Sequence, residues 1–421
     1  MQKSMFLCID LKSFYASVEC VERGLDPMTT NLVVADPERS KNTICLAITP
    51  AMKKLGIRNR CRVNEIPANV EYITAQPRMQ FYIDYAAEIY GIYLKYISKD
   101  DIHVYSIDEA FLDVTHYLSL YKMTAKELGQ RIMQDVLAKT GIRATCGIGT
   151  NLYLAKIALD ITAKHSPDFI GCLDEQSFIE QLWDHKPLTD FWRIGAGTAA
   201  RLERFGMYTM GDIANAPEDL LYRTFGIDAE LLIDHAWGRE TCTMADIKAY
   251  KSSTKSLSSG QVLMRDYSFD EGRLILKEMV DLLSLELVSK DLVTKSVSLY
   301  VGYSKSYETP AAKGSVSLDT AVSSDKVLRD ELIKLYDRIV DRRLKIRRVN
   351  ISFNNVSQES FVQYSLFDDV KALEKERKLQ SVVVDLKKKY GNDAVLKGMN
   401  FIEGATTIER NHQIGGHKSG T

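Results

Sequence analysis

No stretch of this 421-residue chain approaches the roughly 18 to 20 consecutive apolar residues needed to cross a bilayer, which argues against a helical membrane span. The opening MQKSMFLCIDLKS has an apolar run only from Met5 to Ile9, too short for the core of a signal peptide, and Asp10 follows at once. The expected location is therefore the cytoplasm. The seven cysteines are odd in number and never fall at the close spacings of zinc ligands, so a disulfide framework and a cysteine zinc site are both disfavoured. They read as reduced, mostly apolar side chains. His412 and His417 are too isolated to support a metal site. The net charge of −1 supplies no overall basic field for nucleic acid. Lysines and arginines do cluster locally, from Lys53 to Arg62 and from Arg342 to Arg348, although such clusters are by default solvated faces. Internal repeats and low-complexity tracts are absent.

What remains is an ordinary globular composition, 45% hydrophobic and 26% charged, with length for roughly two to four domains. MFLCID reads as a strand ending in Asp10, followed by a helix in which Phe14, Val18 and Val21 recur at helical spacing. NLVVAD and TICLAIT read as short strands, PAMKKLGI as a short helix, and Tyr82 to Ile97 as a long amphipathic one. Two strands then meet near Asp108, followed by helix TAKELGQRIMQDVLAKTG, strand RATCGIG and helix NLYLAKIALDITAK. This alternation argues for a sheet with helices layered on it. From about Lys186 to Arg239 the pattern is wholly helical, and DIKAYKSSTKSLSSG reads as a linker. Beyond it, the strands SVSLYVGYS and RVNISFNNV, with helices around Glu278 and Leu332, predict a separate α+β domain. The tail from Phe367 is a charged helix followed by a Gly-rich stretch with no core of its own.

One stretch stands out. YSIDEAFLDV, Tyr105 to Val114, is strand-like but carries Asp108 and Glu109 side by side. In an uninterrupted strand one of the two would face the core, and an unpaired buried charge is very costly. Either the pair marks a solvated hairpin tip, or a turn aims both carboxylates at a shared cation. Asp10 also ends a strand, so one sheet edge could gather all three acids. Three carboxylates suit hard divalent cations and a two-metal phosphoryl-transfer site.

IDLKSFYASVE (Ile9 to Glu19) together with YSIDEAFLDV strongly resembles the two palm motifs of the Y-family, or translesion, DNA polymerases. The resemblance is to the UmuC/ImpB/MucB type found in Gram-positive bacteria and their mobile elements. It implies an α+β multidomain chain shaped as a right-hand polymerase, with palm and fingers over 1–185, a helical thumb over 186–240, an α+β little finger over 251–356 and a tail over 357–421. It also implies that Asp10, Asp108 and Glu109 are catalytic and, with the Leu11 carbonyl, hold two Mg²⁺ ions. The acidic pair would lie at a turn with neither side chain buried. Tyr15 would be the steric gate against ribonucleotides, with Phe14 lining the same pocket. Ser13, Lys53, Lys156 and Lys164 would meet the triphosphate, although Lys156 is also spaced to pair with Asp160. Ala47 and Pro50 depart from the family's hydroxyl-bearing pattern, which shifts the phosphate grip towards lysines and backbone N–H groups near Ser13.

FWRIGAGTAARLERFG resembles a helix-hairpin-helix, in which Gly195, Gly197 and Thr198 would let the backbone approach a DNA phosphate. Lys251, Lys255 and Arg265 would hold DNA from the little finger without reading its sequence. QYSLFDD resembles the short peptide by which bacterial polymerases dock on the sliding clamp, with Gln363, Leu366 and Phe367 as anchors. The expected protein is thus a monomeric, template-directed DNA polymerase of damage tolerance and SOS-type mutagenesis, acting on primer-template DNA and deoxynucleoside triphosphates without a membrane. The rivals are a palm-type nucleotide cyclase and a non-catalytic DNA-binding accessory factor.

Overall fold

Apolar runs and helical periodicities build, in chain order, strand β1 (Phe6–Leu11), helix α1 (Phe14–Val21), strands β2 (Leu32–Val34) and β3 (Ala47–Ile48), helix α2 (Pro50–Lys54), strand β4 (Ile73–Ala75), helix α3 (Met79–Tyr93), strands β5 (Ile102–Val104) and β6 (Glu109–Asp113), helix α4 (Ala125–Thr140), strand β7 (Ala144–Gly149), helix α5 (Leu152–Ile157) and strand β8 (Ile170–Leu173). Short helices follow up to Ala249, among them α6 (Ala196–Glu203). The computed structural model describes residues 3–252, 255–359 and 369–420. The chain folds as two units, Met1–Lys251 and Ser252–Thr421. No helix among the described residues is long and apolar enough to cross a membrane.

The first unit is organised on a sheet of order β5-β6-β1-β7-β8, in which β1 lies antiparallel to both β6 and β7. Being central, β1 is covered on both faces, which explains its near-continuous apolar run up to Asp10. A smaller sheet, β3-β2-β4, packs its own core of Val33, Cys45, Ile48 and Met52. Helix α4 shows why its residues form a helix. Thr124 accepts from the Glu127 N–H at 3.2 Å, while the Glu127 carboxylate accepts from the Thr124 N–H at 2.7 Å. Leu128, Ile132 and Val136 face inward at helical spacing, and Gly141 with φ 69° ends the helix. The segment after β8 packs with α5 around a second apolar core that includes Tyr153, Phe178, Phe191, Leu202 and Leu221.

Two glycines decide how closely α5 lies on the sheet. A Cβ built on Gly147 would stand 2.0 Å from the Ala155 carbonyl oxygen, and one on Gly149 would stand 2.1 Å from the Ala155 nitrogen. Only residues without side chains permit this approach.

The second unit adds strand β9 (Ser256–Tyr267), helix α7 (Phe269–Ser289), strands β10 (Leu292–Tyr303) and β11 (Ala312–Val322), helix α8 (Asp325–Ile339), strand β12 (Ile346–Asn354) and helix α9 (Val370–Tyr390). Its sheet runs β11-β10-β12-β9, and α7 and α8 cover one face through Leu276, Leu283, Leu332 and Tyr336 against Val297, Leu299, Ile351 and Phe353. One expectation needs correction, and one strand was not read. Of residues 246–260, read as linker, 246–249 end a short helix (Met244–Ala249) and 256–260 begin β9, because Ser256 and Ser258 alternate with Leu257 across a half-buried strand. Strand β11 is hidden by its composition, since only Val316, Leu318 and their like touch the core while serines face the other way.

The tail is bound into this unit. Buried Glu278 on α7 accepts from Asn400 Nδ2 at 2.8 Å and from the N–H groups of Thr406 at 2.8 Å and Thr407 at 3.3 Å. Lys397 Nζ lies 2.6 Å from Asp281 and 2.8 Å from Asp325.

Gly147→Ala is expected to destabilise the first unit by about 3 kcal/mol or more, because a methyl group has no room against helix backbone. Gly91→Ala, in α3 with nothing within 4 Å of a new Cβ, is expected to stabilise by up to about 1 kcal/mol. Urea unfolding of both variants checks the contrast.

Candidate active site

The register of the first sheet sets Asp10 opposite Glu109 on one side and Thr145 on the other. The Leu11 N–H donates to the Asp108 carbonyl at 2.8 Å, which ties the end of β1 to the acidic turn. That turn is closed by the N–H groups of Tyr105 and Ser106, both donating to the Glu109 carbonyl at 2.9 and 3.1 Å. Ser106 Oγ donates to Asp108 Oδ1 at 2.6 Å. Asp10, Asp108 and Glu109 therefore meet at one sheet edge. Burial and then the charges of Asp108 and Glu109 push the Asp10 carboxyl up to about 7.

Glu109 differs from expectation: it is buried, with 9% exposure. Its charge is matched rather than solvated. Lys156 Nζ donates to Oε2 at 2.8 Å, and Cys8 Sγ donates to Oε1 at 3.2 Å. Lys156, itself 7% exposed, also lies 3.1 Å from Asp160 Oδ2. Burial alone would lower Lys156, but Asp160 and Glu109 outweigh it and hold the ammonium above its ordinary value. The close seating of α5 on β7 carries Lys156, expected among the triphosphate lysines, under the carboxylates. Its expected pairing with Asp160 is present.

Among the described residues no three acidic, histidine or cysteine side chains form a ready cation cage, consistent with Glu109 being engaged by Lys156. The donor set nevertheless suits a hard divalent cation, because it offers carboxylate oxygens whose mutual repulsion raises Asp10.

Ser13, in the left-handed conformation at φ 50°, opens α1, and its buried hydroxyl has no hydrogen-bond partner. Phe14 is buried, while partly exposed Tyr15 stacks on Tyr82 with centroids 4.5 Å apart and planes 18° apart. The Tyr82 hydroxyl donates to Glu19 Oε1 at 2.8 Å. Glu19 is wholly buried and also receives Arg78 Nε at 2.9 Å, Arg78 Nη2 at 3.1 Å and the Arg23 guanidinium. Burial would raise its carboxyl, but hydrogen bonds from Arg78, Arg23 and Tyr82 outweigh that and hold it below the usual range. The sequence reading missed Tyr82, Glu19 and Arg78 as a support beneath Tyr15. Only the Glu19–Arg23 spacing signalled any part of it.

Lys53 and Lys164 approach the same edge. Burial holds Lys53 below its ordinary value, with Asp10 opposing the shift and Lys164 adding to it. Lys164 lies 3.7 Å from Asp160 and stays mostly exposed. Lys12, which sequence reasoning passed over, joins them: burial and then Lys53 lower it, and its Nζ sits 4.2 Å from the centre of the Phe169 ring. Its position two residues after Asp10 was the available signal.

Gly195 is the N-cap of α6, and Thr198 and Ala199 both donate to its carbonyl at 3.0 Å. Nothing lies within 4 Å of a Cβ at Gly195 or Gly197, so their faces are open to an approaching group. Lys251 is the last residue of the first unit, and Lys255 immediately precedes β9 in the second. Arg265 is not a free cation, because it pairs with Glu271 at 2.5 Å and lies over the Tyr267 ring. The helix-free face of that sheet carries a row of hydroxyls in register, Ser258, Ser352, Ser298 and Ser315, next to a row holding Asn350, Tyr300 and Lys313. These residues were not singled out from the sequence, where alternating serines look like ordinary solvent-facing positions. Gln363, Leu366 and Phe367 lie outside the described residues.

Comparison with known proteins matches residues 9–160 to the impB/mucB/samB family and residues 254–366 to the C-terminal domain of that family. A Bacillus subtilis (strain 168) protein named for UV-damage repair, UvrX, is 31% identical over 98% of this chain and 97% of its own length. "DNA polymerase IV 2" of the same organism is 28% identical over 99% of each chain. The protein of that name from Halalkalibacterium halodurans is 27% identical over 99% of this chain and 100% of its own. Among solved structures, a "Y-family DNA polymerase chimera Dbh-Dpo4(243-245)-Dbh" superposes with a TM-score of 0.63 at 22% identity, covering 84% of this chain and 99% of that one. That likeness is one of fold.

Arg78→Ala is expected to cost about 2 to 3 kcal/mol, since it takes charge-assisted hydrogen bonds from a buried carboxylate. The folded-state pKa of Glu19 is depressed, so its contribution is present above the unfolded value near 4.5 and is lost as pH falls through the folded value. The variant should therefore acid-unfold at higher pH than the wild type, as measured by circular dichroism across an acid titration.

Proposed function

The chain belongs to the impB/mucB/samB family of Y-family DNA polymerases, and from this we infer that it is a template-directed DNA polymerase of the translesion type. It joins deoxynucleotides to a primer 3′-hydroxyl with release of pyrophosphate, in tolerance of DNA damage. The observation that carries this reading is the strand register that brings Asp10 beside Glu109, with Asp108 adjoining, in reach of Lys12, Lys53 and Lys164.

Asp10, Asp108, Glu109 and the Leu11 carbonyl would hold two Mg²⁺ ions. Bound there, the ions supply charge neutralisation at the attacking and leaving oxygens. The protein's own part is positioning. Lys53, Lys164 and Lys12 bind the triphosphate, aided by the free Ser13 hydroxyl. Tyr15, braced from behind by Tyr82, lies under the incoming sugar and excludes a 2′-hydroxyl by contact. Gly195, Gly197 and Thr198 at the start of α6 meet DNA phosphate through backbone N–H groups. The hydroxyl rows, Lys313 and Lys255 of the second unit, together with Lys251 at the end of the first, support the duplex without reading its sequence. Palm and fingers then occupy 1–185, the thumb 186–240 and the little finger 251–356. Gln363, Leu366 and Phe367 dock on a sliding clamp. The protein works in the cytoplasm as a monomeric core.

Primer extension on a primed template with Mg²⁺ tests the reading. Asp10→Asn, Asp108→Asn and Glu109→Gln are each expected to lower template-dependent extension by about 1000-fold; activity that survives all three would overturn the assignment of the site. Tyr15→Ala is expected to raise ribonucleotide insertion on the order of 100-fold with deoxynucleotide insertion largely kept. Unchanged sugar discrimination would remove Tyr15 from the gate.

A further inference from the structure

We propose that Lys156 is a positioning residue that acts through Glu109 and does not contact the nucleotide; this rests on the polymerase reading above. The first ground is access. The side chain of Lys156 is 9% exposed, whereas that of Lys164, on the same stretch of chain, is 59% exposed. A cation that must grip an incoming triphosphate needs the second environment.

The second ground is geometry. Lys156 Nζ meets Glu109 Oε2 at 2.8 Å, and Cys8 Sγ meets Oε1 at 3.2 Å, so each oxygen of the carboxylate has its own donor and the plane of the group is set. An ionised carboxylate offers about four lone-pair sites. Two stay available for another ligand while the donors fix the orientation. Asp160, 3.1 Å away, holds the ammonium from its other side and keeps it from following Glu109.

The third ground is the scaffold. Gly147 and Gly149 let α5 lie against β7 at backbone distance, which delivers the lysine to this point.

The experiment separates turnover from nucleotide binding. The full chain is assayed for kcat in primer extension, and the dissociation constant of a deoxynucleoside triphosphate is measured by fluorescence on a dideoxy-terminated primer-template complex. Lys156→Met is expected to lower kcat by about 100-fold, with the dissociation constant unchanged. Lys164→Ala is expected to weaken nucleotide binding by about tenfold or more. Lys156→Gln keeps an N–H donor and should recover part of the lost turnover, and it takes over the test if Lys156→Met does not fold. Weakened nucleotide binding with kcat retained would overturn the proposal, as would unchanged values of both. Loss of cooperative unfolding in both Lys156 variants would make the lysine a structural counter-ion only, and would also overturn it. A wild-type chain that fails to extend primers would remove the polymerase reading itself, an outcome distinct from wild-type activity with an indifferent Lys156.

Discussion

Three carboxylates cannot be gathered at one edge of a sheet without something to offset their repulsion and the loss of water around them. Here the offset is internal. Lys156 reaches Glu109 from beneath, and the approach is possible only because β7 carries glycines where α5 crosses it. At 2.8 Å the attraction between such charges is several kcal/mol even with substantial screening. A comparable part goes into desolvating both groups. The pair's effect is therefore less to strengthen the fold than to decide where the Glu109 side chain points. Placing this charge inside the sheet leaves the outer side of the edge to Asp10, Asp108 and the lysines that approach from α2 and the end of β1.

A second polar construction supports the opposite wall. Glu19 is buried as completely as any apolar residue around it, yet it binds two arginines and a tyrosine. Its effect is carried outward through Tyr82 to the ring of Tyr15. Both sides of the pocket thus rest on buried carboxylates with a donor on each oxygen, an arrangement that resists repacking more than an apolar floor does. The net charge of −1 agrees with this design. Charge is spent locally, and the second unit presents hydroxyls and an amide rather than a dense basic field.

Much of this was legible in the sequence, though unevenly. Asp10 and the Asp108–Glu109 pair could be read because each interrupts an apolar run at a strand end, and strand ends of one sheet meet along an edge. The burial of Glu109 was not legible. It depends on how near α5 lies to β7, and Gly147 and Gly149 read only as members of a strand until the helix is placed over them. The same blind spot hid the contact of Lys156 with Glu109, since its helical spacing to Asp160 says nothing about a carboxylate 47 residues earlier. Tyr82 and Arg78 escaped because their partner is 63 and 59 residues away. In the second unit, the alternation in SVSLYVGYS showed a half-buried strand, but a Ser-rich solvent face looks the same whether or not anything lies against it. Arg265 illustrates the converse, since a lysine- and arginine-bearing segment does not reveal which cations its own glutamates have already taken.

The anchoring of Glu278 has a consequence for how the protein is made. Its donors are supplied by Asn400, Thr406 and Thr407, more than a hundred residues after α7 leaves the ribosome. During translation the first unit has all its own sequence early and can complete its core. The second must wait with a carboxylate enclosed only in part, its sheet and helices assembled around a gap that Asn400, Thr406 and Thr407 fill later. A chain released before residue 400 would carry all of the strands of its second sheet and still lack the hydrogen bonds that close its interior.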